Sequence, residues 1–141
     1  MSEPRITARQ LQELAQLRLD EAAALLRSRK QQGAYYLAGY SVECAIKAVV
    51  ARKTKRHDFP PSPSYVRRVY THNLEELMAA AGLNDALDAE LRVNPPLATN
   101  WGVVKLWSES VRYIVSGLKG RDMYRAVSGP DGVLQWIRRF W

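Results

Sequence analysis

The sequence predicts an all-α fold, an up-and-down bundle of four or five main helices with extra short ones, formed by residues 1–141 as one domain. Three observations carry that prediction. Apolar residues recur three and four positions apart through most of the chain, the period of a helix with one buried face. The stretch from Ala34 to Val50 holds no proline, and Gly39 is its only helix-weakening residue. Glycine and proline gather between the periodic stretches, at 60–63, 82, 94–96 and 129–130, where they punctuate rather than interrupt. A chain of 141 residues is one domain by size and is long enough to bury a core.

The first helix is expected to begin near Thr7, whose hydroxyl suits an N-cap. Leu11, Leu14, Ala15, Ala22, Leu25 and Leu26 give it one apolar stripe. Arg18 falls within that stripe, where its stem can pack while its head reaches water. The helix should stop between Arg29 and Gly33. A second helix follows after a short turn, so the two should be antiparallel neighbours. This second helix has two faces. Tyr36, Tyr40, Glu43 and Lys47 make a polar, aromatic one, and Ala34, Ala38, Ser41, Ala45 and Ala48 make a small-residue one that lets another backbone come close.

Residues 55–70 hold Pro60, Pro61 and Pro63, which cannot continue a helix, so this stretch reads as a long loop. A third helix starts at Thr71 or Asn73, and Asn73 with Glu76 has capping-box spacing. Leu74, Leu77, Met78 and Ala81 form its stripe, and Gly82 ends it. A short fourth helix covers about Asp85 to Val93 with Leu87 and Leu91 inward, stopped by Asn94-Pro95-Pro96. Trp101, Val104 and Trp107 suit a short buried helix or turn. Val111, Tyr113 and Val115 alternate, the mark of an extended stretch. The last helix, from Met123 to Trp141, should be kinked or split at Gly129-Pro130.

Composition excludes several classes. No apolar run approaches a membrane span, and the first residues lead directly into a polar helix pattern rather than an export signal. Cys44 is the sole cysteine, so no internal disulfide forms, and it reads as a packed core thiol rather than a nucleophile. A reducing cytoplasm fits these features. The two histidines and one cysteine have no metal-ligand spacing, and no glycine-rich phosphate loop is present, so neither metal nor cofactor is expected. The net charge is +7, unevenly spread. Arg52, Lys53, Lys55, Arg56, Arg67 and Arg68 crowd the end of the second helix and the loop after it. Arg112, Lys119, Arg121, Arg125, Arg138 and Arg139 make a second basic region, and Glu75, Glu76, Asp85, Asp88 and Glu90 leave the middle acidic. Such asymmetry suits a polyanion; plain solvation of a basic surface accounts for it equally well.

The stretch from Ala34 to Val50, the segment Tyr70-Thr71-His72-Asn73-Leu74-Glu75-Glu76-Leu77, the segment Trp107-Ser108-Glu109-Ser110-Val111-Arg112-Tyr113 and the closing Gly132-Val133-Leu134-Gln135-Trp136-Ile137 together resemble the HEPN domain family. The resemblance runs from about Leu11 to the end. It implies a small helical domain that pairs as a homodimer, and binding of RNA or a nucleotide. It also implies a nucleotidyltransferase partner in a toxin–antitoxin pair, since relatives often work that way. Some relatives are metal-independent ribonucleases carrying an Arg followed a few residues later by a His, and Arg67 with His72 has that order. In such a site the His moves the 2′-hydroxyl proton and the Arg stabilises charge building on phosphorus. At a helix N-terminus the dipole disfavours an imidazolium, which would leave His72 neutral and ready as a base.

The sequence departs from the ribonuclease pattern in two ways: Arg68 stands where a small polar residue is usual, and the pair lies in mid-chain rather than opening the last long helix. Arg52 and His57 repeat the same spacing, which shows how common it is. A separate reading joins Glu43 to Arg112 across the bundle, with Lys47, Tyr36, Tyr40 and Tyr113 nearby, as a pocket for a nucleotide phosphate or base. The simpler reading of Glu43 and Lys47 is an ordinary helical ion pair. The four tryptophans suit core or dimer burial. From a different class, a non-catalytic dimeric adaptor with an incidental basic surface fits the same composition.

Overall fold

The computed structural model describes residues 6–57 and 67–141, with the backbone alone for residues 54–57. Within these residues the fold is all-helical, with seven α-helices, one 3-10 helix, a further helical turn at 67–69 and no strand. Only two are long: α1 (Ala8–Arg27) and α2 (Gln31–His57). Then come α3 (Leu74–Ala80), α4 (Asn84–Val93), α5 (Pro95–Val104), a 3-10 helix (Glu109–Tyr113), α6 (Gly120–Ser128) and α7 (Val133–Arg138). The expected four or five main helices are thus two long and five short ones. Gly82, Asn94-Pro95 and Gly129-Pro130 divide the second half of the chain more finely than a simple bundle would.

Local chemistry sets most boundaries. Thr7 caps α1 through a full capping box, its hydroxyl accepting from the Gln10 amide and the Gln10 side chain accepting from the Thr7 amide. Asn73 caps α3, its Oδ1 accepting from Glu76 N at 2.9 Å. The prolines after Asn94 open α5 rather than only closing α4, because proline suits the first helical turn. Gly129-Pro130 splits the last helical stretch into α6 and α7. Two expectations need correction. α2 runs on to His57, so the loop begins later than Lys55; residues 67–69 are helical too, and the prolines between lie outside the described residues. The alternating Val111, Tyr113 and Val115 are not extended: Glu109 to Tyr113 turn as a 3-10 helix that buries Val111 and leaves Tyr113 and Val115 out.

α1 turns back after Ser28 and packs along α2, and α6 packs against both α2 and α1. The small-residue face of α2 is what admits them. Ala34, Ala38, Ser41, Ala45 and Ala48 are fully buried, and Ser41 Oγ donates to Ala15 O of α1 at 2.6 Å. Gly120 brings the start of α6 against α2, since a Cβ there would lie 2.3 Å from Gln31 O. Trp101, Trp107 and Trp136 are buried in the same core. These residues are therefore filled within one chain, and they supply no surface for a second copy. Leu19 also joins the core, one step past the Arg18 that interrupts the stripe, and Arg18 turns outward to Glu21.

Candidate functional site

The polar, aromatic face of α2 is the floor of the site. Gly39 leaves the space in which Trp107 lies: a Cβ on residue 39 would come 2.1 Å from the indole Cδ1. The indole stacks on Tyr36 at 6.0 Å and donates its N–H to Tyr36 O at 3.2 Å. Tyr36 stacks in turn with Tyr40 at 6.0 Å. Trp107 thereby pins the chain just before the 3-10 helix, which places Glu109 and Arg112 one turn apart over α2. From the other side, the Asn73 cap fixes His72 at the entrance to α3.

Five charged side chains join across these three elements. Glu43, whose side chain is only 3% exposed, meets Lys47 Nζ at 3.3 Å and His72 Nδ1 at 2.8 Å. The opposite ring nitrogen, His72 Nε2, meets Glu109 Oε2 at 3.1 Å. Glu109 is also 3.7 Å from Arg112, which donates to the Tyr113 phenol at 3.0 Å. The Arg112 guanidinium lies 4.9 Å over the Tyr113 ring. Its bond to the Tyr113 phenol, more than any other contact, pushes its pKa upward and keeps it charged.

Both ring nitrogens of His72 face carboxylate oxygens, and an ionised carboxylate can only accept. Each ring nitrogen is thus engaged, and the ring is fixed between Glu43 and Glu109. Neither nitrogen is left open towards a substrate hydroxyl.

The structure brings together only part of what the sequence singled out. Glu43, Lys47, His72, Arg112 and Tyr113 converge. Glu43 does not meet Arg112 directly; His72 and Glu109 stand between them. Arg67 and Arg68 are exposed a few residues ahead of His72, and among the described residues no hydrogen bond or ion pair joins Arg67 to His72. Arg52 donates to Phe140 O at 3.5 Å, and Lys53 donates to Ala81 O at the end of α3, so both cations help tie the fold. The side chains of Lys55, Arg56 and His57 lie outside the described residues. Glu109 was missed, although its spacing of three from Arg112 marks a one-turn pair. Tyr70, 78% exposed and two positions before His72, was missed as well.

Cys44 lies on α2 beside this cluster and is buried. Burial pushes its thiol from 9.0 up to about 11, with the Glu43 charge adding to the effect. Alkylation by iodoacetamide at pH 8 should therefore be far slower in the folded chain than in denaturant; equal rates would contradict the packed-thiol reading. The thiol is protonated in both states well below pH 9.0, and stability should fall as pH rises from 9.0 towards about 11, where only the unfolded chain ionises.

Among the described residues, no group of three or more His, Cys, Asp and Glu side chains could hold a metal ion. No helix among them is long and apolar enough to cross a membrane. No family model matches this chain, and no curated protein or solved structure matches it.

Proposed function

We propose that this chain is a HEPN-type helical module that binds single-stranded RNA over the surface where α3 and the 3-10 helix meet α2. The observation that carries this reading is Arg112. It is half-exposed, held in place by Glu109, and stacked on a Tyr113 ring that is 73% exposed. A fixed guanidinium beside an open ring is the pairing a single strand uses, phosphate on the cation and base on the ring. Tyr70, Arg67 and Arg68 extend the same chemistry along the chain before His72. His72, held between Glu43 and Glu109, ties the two segments together.

The ribonuclease reading asks His72 for a nitrogen free to accept a proton, so the geometry supports binding better than cleavage. A labelled single-stranded RNA followed by fluorescence anisotropy tests the reading. Stacking contributes about 1–3 kcal/mol per base, so Tyr113→Ala should weaken binding by roughly five- to a hundredfold. An unchanged affinity would remove Tyr113 from the interface. Binding of a mononucleotide but no RNA strand would narrow the ligand, and binding of neither would favour the adaptor.

The homodimer and a nucleotidyltransferase partner rest on the HEPN resemblance. With the small-residue face and three tryptophans filled internally, the large aliphatic side chains left exposed among the described residues are Ile6, Leu17, Val93, Leu106, Ile114 and Val115. Light scattering at micromolar concentration should give twice 16.0 kDa. A mass of 16.0 kDa would contradict the dimer.

A further inference from the structure

A cleft of about 290 Å³ opens between α1, α6 and α7, on elements other than those that carry the surface described above. Leu19, Val127 and Leu134 lie beneath it, almost wholly buried, so the surface the cleft offers is mostly polar. Its rim carries Gln16, Gln135 and Arg138, and no acid is among its lining residues.

Arg138 is the unusual member. It is only partly exposed, and among the described residues no carboxylate pairs with it. One terminal nitrogen donates to Gln16 Oε1, and the guanidinium lies 5.4 Å over the Trp141 ring. Its Nε–H is buried and has no acceptor. A sealed donor without a partner is uncommon in folded chains, and on a guanidinium it leaves half of a two-pronged oxyanion grip unused. Gln16 is oriented for its part. Its Nε2 donates to Asp20 at 2.9 Å, which turns the amide oxygen towards Arg138.

We infer that this cleft binds a small organic anion, with a carboxylate or phosphate head on Arg138 and a short body lying in the cleft between Gln16 and Gln135. The guanidinium turns from Trp141 towards the cleft mouth, and its Nε–H and a terminal N–H take the two oxygens of the head. The volume sits at the lower end of small-ligand pockets, about 300–1,000 Å³, which limits the ligand to a compact one. Binding is independent of RNA.

The test follows the Nε–Hε signal of Arg138 by NMR in the full chain, titrated with benzoate, phenyl phosphate, inorganic phosphate and benzyl alcohol. The signal should move saturably with benzoate and phenyl phosphate, with a dissociation constant on the order of millimolar. Gln135 is exposed on the rim, so Gln135→Glu keeps the fold and sets a negative charge beside the head. It should weaken both anions by about tenfold. Inorganic phosphate binding as tightly as phenyl phosphate would support the site with the head alone as its determinant. Weaker binding would support it with contacts to the organic body contributing. An equal response to benzyl alcohol, or no movement of the Arg138 signal with any anion up to about 50 mM, would overturn the inference.

Discussion

Replacing Glu43 with alanine should destabilise the chain by about 2–4 kcal/mol and loosen the 3-10 helix from α2. Glu43 is the one deeply buried acid in the network, and it meets Lys47 and His72 at once. Removing one partner of a buried pair costs about 3–5 kcal/mol when the other charge is stranded. Lys47 and His72 can partly reach water, which brings the figure down. For a chain of this size the change corresponds to a fall in Tm of roughly 8–15 °C. Glu43→Gln keeps the shape and one acceptor, so it should cost less than the alanine. The double variant Glu43→Ala/His72→Ala should cost less than the sum of the two single changes, because each removes the same contact. Additive losses in thermal unfolding would show that the 2.8 Å contact between them contributes nothing.

Changing Arg67 and Arg68 together to alanine should weaken RNA binding to all sequences about equally and flatten its salt dependence. Phosphate contacts release counterions, and each contact to a single strand contributes about 0.7 to the slope of log K against log salt. Losing both should reduce the slope by about 1.4. Both side chains are exposed, so the fold should survive the change. A slope that stays the same would leave these two cations outside the interface.

Much of the architecture could be read locally. Thr7, Asn73 and Gly129-Pro130 mark ends because caps and breakers act within one turn, and no distant residue is needed to see them. The reading failed where tertiary contacts decide. Residues 111–115 alternate in polarity, yet packing of Val111 and a three-residue turn win over an extended form. The basic end of α2 was read as loop although its lysines and arginines are good helix formers. The small-residue face of α2 was legible as a close-approach surface, but its occupants turned out to be α1 and α6 of the same chain. The same division holds at the site. The row Tyr36, Tyr40, Glu43 and Lys47 follows from helical period alone. The partner of Glu43 does not, because His72 lies 29 positions away and only folding brings it there. Without that contact His72 was read from its place at a helix end alone, and the two carboxylates that engage its ring nitrogens were out of sight.

The central claim is an RNA-binding surface around His72, Arg112 and Tyr113. Its most direct test is the affinity of the folded full chain for a labelled single-stranded RNA, measured as salt rises from about 50 to 200 mM. If Arg67, Arg68 and Arg112 each meet a phosphate, the slope of log K against log salt is about −2, and affinity falls roughly twentyfold over that range. No detectable binding at the lowest salt, with the protein shown to be folded, would contradict the claim.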